Sequence, residues 1–98
     1  MKTSSKIHLA TVIPRSATRK AGAAGREAIG RALSSADIVE LDLSGLNITP
    51  SFADECFGVL AETLGRDEFR ERVKLLHVPR AAQPLLRHVL NRRTEATA

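Results

Sequence analysis

"VELDLSGLNITPSFADECFG", residues 39–58, reads as a strand that runs into a loop and then into a helix. Ile38, Val39, Leu41 and Leu43 form a near-continuous apolar run broken only by Glu40 and Asp42, the pattern of a central strand covered on at least one face. Ser44-Gly45 ends it. Past the loop, Phe52, Cys56, Leu60 and Leu64 step by four with Ala53, Phe57 and Ala61 beside them, so a helix is expected from Phe52 to Leu64. Asp54, Glu55 and Glu62 are expected to face away from the core, and Gly65 supplies the stop. Ser51 stands where this helix begins. Followed by Asp54 three residues on, it reads as an N-cap in a variant capping box; the sharper alternative is a phosphoacceptor. A phosphate there would meet a helix N-terminus but also the neighbouring Asp54 and Glu55.

Working outward, "KIHLATVI" (6–13) is β-branched and aliphatic and ends at Pro14, which predicts a first strand. Ala21, Ala24, Ala28, Ile29, Ala32 and Leu33 then recur at three- and four-residue steps, which predicts a helix from about Arg19 to Leu33 capped by Thr18. Gly22, Gly25 and Gly30 each weaken that helix, and close packing on a sheet is the plain reason for keeping them. "RDEFRER" (66–72) reads as a helical turn or loop, "VKLLHV" (73–78) as a third strand, and "AQPLLRHVLNRR" as a last helix with Pro84 in its first turn. Leu86, Val89 and Leu90 make its buried stripe, with Arg87, Arg92 and Arg93 on the wet side. The order β-α-β-α-β-α predicts an α/β fold, a small mainly parallel sheet of three to four strands flanked by helices. A single domain over residues 1–98 is expected, with an ordered core of about 6–93.

At 43% apolar and 27% charged residues the composition is that of a soluble globule. The N-terminal apolar run is about seven residues, too short for a signal peptide or a membrane span. With one cysteine no intrachain disulfide forms, which fits a reducing compartment, and the protein is expected to be cytoplasmic. Charge is segregated. Residues 1–36 carry a net +6, residues 37–68 a net −7 and residues 69–98 a net +5. Folding either brings these blocks together or leaves a basic face, built from Arg15, Arg19, Lys20, Arg26, Arg31, Arg87, Arg92 and Arg93, for an anionic partner.

Little else carries chemistry. Asp42, near the carboxyl end of the central strand, is placed where open sheets hold ligands, but a lone Asp there more often binds a nearby backbone N–H. His8, His77 and His88 are scattered, so no metal site is expected. Cys56, within an apolar stripe, reads as a buried inert thiol. The glycines match no phosphate-binding or dinucleotide fingerprint, no cofactor is implied, and no acid–base pair assembles. The chain is not expected to be an enzyme.

The run Leu41-Asp42, a short loop and Ser51-Phe52-Ala53-Asp54-Glu55 resembles a bacterial STAS-like domain family of unknown function, with Leu43 in place of a usual Phe. With "ATRKAG" and "FRERVKLLHV" the resemblance spans about residues 15–93. Through it the chain is similar to anti-sigma factor antagonists, small cytoplasmic α/β domains that dock on a histidine-kinase-type ATPase or anti-sigma factor. Their regulated serine lies in an Asp-Ser-Ser-Gly loop. Counting from Asp42, Pro50 stands at that Asp, Ser51 at the first Ser and Phe52 at the phosphorylated one. The resemblance therefore implies a signalling and protein-interaction role more than phosphoregulation. The residues it points to for partner contact are Asp42, Ser44, Asn47, Thr49, Ser51, Phe52, Asp54 and Glu55, with Ser51 and Thr49 as candidate phosphoacceptors. The competing reading is a small basic nucleic-acid-binding regulator. A homodimer through an edge formed by Phe57 or Leu60 is the further option.

Overall fold

The computed structural model describes residues 2–13 and 18–95. Three parallel strands lie in the order of the chain: β1 (Ser4–His8), β2 (Ile38–Asp42) and β3 (Val73–Leu76). The registers Ile7↔Leu41 and Leu41↔Leu75 align the alternating side chains of all three. Because successive parallel connections are right-handed, strands in simple sequential order send their connecting helices to one face. Burial agrees. Val39, Leu41, Leu43 and Val73 are buried, whereas no residue of the opposite face (Ser4, Lys6, His8, Ile38, Glu40, Asp42, Lys74, Leu76) is. The fold is a two-layer α/β domain.

β1 is shorter than the strand expected over 6–13. Its partner β2 ends at Asp42, opposite His8, so no ladder continues beyond that point. The chain instead turns into α1 (Leu9–Val12), whose Thr11 hydroxyl donates to the His8 carbonyl at 2.8 Å and whose Leu9 is fully buried. The following helix α2 (Arg19–Ser35) starts as expected, with Ala21 N–H donating to Thr18 Oγ1 at 3.2 Å. Its C-terminus is closed from a distance. Arg72 donates to the carbonyls of Leu33, Ala36 and Asp37 at 2.7, 3.0 and 2.9 Å, satisfying acceptors that a helix end leaves open.

Residues 50–64 are one continuous helical rod in three parts: α3 (Pro50–Ala53), a π-turn (Asp54–Gly58) and α4 (Val59–Leu64). The π-turn is marked by the Val59 N–H bonding to the Asp54 carbonyl, five residues back. Helix α5 (Arg66–Arg72) follows Gly65, which has φ +89°, and a 3-10 turn (Arg80–Ala82) leads into α6 (Gln83–Glu95). Ser51 is not the cap. Thr49 is, accepting from Phe52 N–H at 3.3 Å, because Pro50 already occupies the first helical position, where its fixed φ suits a helix and its missing N–H is not needed.

The helical rod is wedged between α2 and α6, with Phe52 and Phe57 edge-to-face beneath it at 6.0 Å. Phe57 and Leu60 are buried, so no dimer edge is formed by them. The helical glycines serve this helix–helix contact, not contact with the sheet. A Cβ at Gly22 would lie 2.9 Å from the Phe52 carbonyl oxygen, one at Gly25 3.1 Å from Cys56 Sγ, and one at Gly58 2.8 Å from Val89 Cγ1. Gly30 is different, since nothing lies within 4 Å of its Cβ position. Gly30→Ala should therefore stabilise by about 0.5–1 kcal/mol, through helix propensity alone. Gly22→Ala and Gly58→Ala should each destabilise by about 1–3 kcal/mol through overpacking. Urea titrations of the three variants decide it, and equal effects at positions 30 and 58 would refute the packing argument.

Candidate functional site

The carboxyl ends of the three strands bring together four polar side chains. Asp42 Oδ1 accepts from the Ser44 backbone N–H at 2.9 Å and from the Ser44 hydroxyl at 2.7 Å, and lies 3.2 Å from His77 Nδ1. His8 Nε2 lies 3.2 Å from the Ser44 carbonyl oxygen and 3.3 Å from its hydroxyl. The Ser44 hydrogen bonds, with a smaller contribution from His77, hold the Asp42 carboxyl well below its usual range. This is the loop-capping role expected of a lone Asp. His77 was expected within a strand; it instead follows β3 with a left-handed φ of +54°, which puts its ring beside Asp42. His8 at the end of β1 and His77 just past β3 approach the same loop because the parallel sheet brings those strand ends together, and their spacing in sequence gives no hint of it. Among the described residues no group of three His, Cys, Asp or Glu side chains is placed to hold a metal ion.

The second cluster is built on the π-turn and overturns the expectation that Asp54, Glu55 and Glu62 face away. Asp54 is buried and takes a two-pronged contact from Arg93, Nε at 2.9 Å and Nη2 at 2.8 Å, with Arg19 at 3.3 Å and Arg92 at 3.6 Å. Glu55 takes Arg19 at 3.1 Å and also pairs with Arg26, which donates to the Glu55 carbonyl at 2.8 Å. Glu62 receives the other Arg93 nitrogen at 3.4 Å. The neighbours Asp54 and Glu55 are thus bridged by one guanidinium, although adjacent positions on a helix diverge. Arg93, expected on the wet side of α6, is turned inward. The hydrogen bonds from Arg93, with those from Arg19, bring the Asp54 carboxyl down to about 2 against the opposing effect of burial. Arg26 and then Arg19 likewise lower Glu55.

The expected contact residues divide accordingly. Phe52 is in the core, and Asp54 is buried in the ion cluster with its side chain lining the cavity beside Ser51. Glu55 is half-buried among arginines, and Thr49 is engaged as a cap. Ser44 and Asp42 hold each other while remaining partly accessible. Asn47 and Ser51 are exposed. Ser51 borders a cavity of about 250 Å3 shared with Arg19, Asp54, His88 and Arg92. Of the basic face, Arg19, Arg26, Arg92 and Arg93 are committed to internal carboxylates, and Arg15 lies outside the described residues. Sequence patterning missed Arg93 because helical periodicity assigns a face but not the long reach of a guanidinium.

Two tests follow from the cluster and the buried thiol. Asp54 is lowered on folding, so its contribution is fully present above about pH 4 and is lost as pH falls toward about 2. Asp54→Asn should reduce stability at neutral pH by on the order of 1–2 kcal/mol and flatten the pH dependence in that window. Acid titrations followed by circular dichroism check both, and an unchanged acid slope would contradict the clamp. Burial raises the Cys56 thiol to about 12, so iodoacetamide should label it only at the rate of unfolding. Labelling that outpaces unfolding in denaturant would show the thiol is accessible.

Comparison with known families identifies the frame that carries these residues. The family model described as a STAS-like domain of unknown function (DUF4325) matches residues 26–78, just over half the chain and narrower than the 15–93 read from the sequence. It runs from Arg26 in α2 through β2, the helical rod and β3, and leaves out β1 and α6. No curated protein and no solved structure is detectably similar to the chain. No helix among the described residues is long and apolar enough to cross a membrane. The matched span carries Leu41-Asp42 and Ser51-Phe52-Ala53-Asp54-Glu55 on a parallel α/β frame, and the chain belongs to the family of STAS-like domains of unknown function.

Proposed function

We propose that this domain is a non-enzymatic interaction module that signals by docking a protein partner through the loop and helix start of residues 44–60. The partner is a histidine-kinase-type ATPase of the kind that anti-sigma factor antagonists engage. The observation that carries the reading is the placement of Ser51. It is exposed at the mouth of a cavity rimmed by Arg19, His88 and Arg92, on a loop and helix anchored from below by buried Leu43, Phe52 and Asp54. Side chains fixed on a rigid scaffold suit recognition, because little conformational freedom is lost when a partner binds. The contact set therefore narrows to Ser44, Asn47 and Ser51, with His88 at the cavity rim.

A phosphate is not needed for this role. Thr49 is occupied as a cap, and Phe52 stands where the regulated serine of the antagonists would be. The competing reading, a nucleic-acid-binding regulator, is weakened by the engagement of Arg19, Arg26, Arg92 and Arg93 with internal acids. Such binding would fall steeply between about 50 and 200 mM salt.

Size-exclusion binding and intact-mass analysis with candidate ATPases and ATP test the proposal. We expect a complex with the unmodified chain, no added phosphate, and at least about tenfold weaker binding for Asn47→Arg and Ser51→Arg at unchanged melting temperature. A partner that binds both variants as well as the parent chain, or no complex with any such ATPase, overturns it.

A further inference from the structure

A cavity of about 270 Å3 lies on the other side of α6 from Ser51, between α4, α5, β3 and α6. Its floor is apolar: Phe69 and Val73 are buried, and Leu75 and Leu90 are half-buried against the core. Its rim carries three arginines, Arg66, Arg70 and Arg87, and no carboxylate. This separates them from the arginines around Asp54, each of which meets an acid. Arg66 is held in place by donating Nε and Nη2 to Thr94 Oγ1 at 3.2 and 3.1 Å. Among the described residues the guanidinium groups of Arg70 and Arg87 have no acidic partner.

From this combination we infer that the cavity binds a small apolar acid, a carboxylate carried on an aromatic ring or short aliphatic chain. An apolar floor with a few convergent polar groups is the usual make-up of a ligand pocket, and this one is at the small end of the range. The volume admits one ring or a short chain. The guanidinium fork matches a carboxylate in a way that water satisfies less well once the ligand's body has displaced it from the floor. Neither half suffices alone. The apolar floor would not choose an acid over its amide, and the arginines alone would not choose an apolar acid over a bare anion.

NMR titration of the full chain with 4-phenylbutyrate tests the inference, with 4-phenylbutyramide and inorganic phosphate as the uncharged and the bare-anion arms. We expect 4-phenylbutyrate to shift the methyl resonances of Val73, Leu75 and Leu90 with a Kd on the order of 1 mM, fitting for about a dozen heavy atoms. The amide should bind at least about fivefold more weakly, and Arg70→Gln and Arg87→Gln should each weaken the acid about three- to tenfold. Arg80→Gln, an exposed arginine outside the cavity, should change nothing. Absence of shifts at about 10 mM acid overturns the inference. So does equal binding of the amide, which would mean an apolar cavity only, or the same shift pattern from phosphate, which would mean a cation cluster only.

Discussion

The rod of residues 50–64 is pressed from both sides by helices that come closer than ordinary side chains allow. A Cβ at Gly22 or Gly58 would sit at 2.9 or 2.8 Å from its nearest neighbour, inside van der Waals contact. Much of the rest follows from that approach. It seals Phe52, Cys56 and Phe57 over the sheet, and it sets the acids of the π-turn within reach of arginines on both flanking helices. The extra residue in the turn matters here. Asp54 and Gly58 both end up buried on the side of α6, so the closest helix contact and the two-pronged Arg93–Asp54 ion pair are neighbours, with Asp54 Oδ1 3.1 Å from the Gly58 Cβ position.

The segregated charge of the chain is a folding device before it is a binding surface. The acidic middle third places Asp54, Glu55 and Glu62 where the basic first third supplies Arg19 and Arg26 and the basic last third Arg92 and Arg93. Burying Asp54 alone would be costly, and breaking such a pair leaves an uncompensated charge. The cluster therefore favours one arrangement of the three helices over others in which the same apolar stripes could pack. The five-residue signature has two members in the core, two in the ion cluster and only Ser51 toward solvent, so it encodes mainly this assembly.

Much of this was legible in the sequence, for physical reasons that also mark where reading stopped. The apolar run 38–43, the alanine steps of α2 and the four-residue steps from Phe52 are local patterns, and each produced its element near its place. The misses were non-local. Nothing within "KIHLATVI" says that its ladder partner ends opposite His8, so a strand was expected where α1 forms. Ser51 followed by Asp54 imitates a capping box, and only the preference of Pro50 for the first helical position moves the cap to Thr49. The inward turn of Arg93 and the meeting of His8 with Ser44 depend on tertiary placement that no spacing encodes. The family resemblance grouped Asn47, Ser51, Phe52 and Asp54 as one contact surface, whereas Phe52 and Asp54 lie in the interior and Asn47 and Ser51 on the surface.

Helix α6 lies outside the span matched by the family model, yet it forms a wall of both cavities. Leu85, His88, Val89 and Arg92 face the Ser51 side, and Arg87, Leu90, Asn91 and Thr94 the other. A ligand on one side can influence the other only through a difference in affinity for two positions of this shared wall. The two-pronged contact of Arg93 with Asp54, on the face between the cavities, resists such movement. Movement of this wall against the rod is thus limited by the ion pair that also fixes the rod.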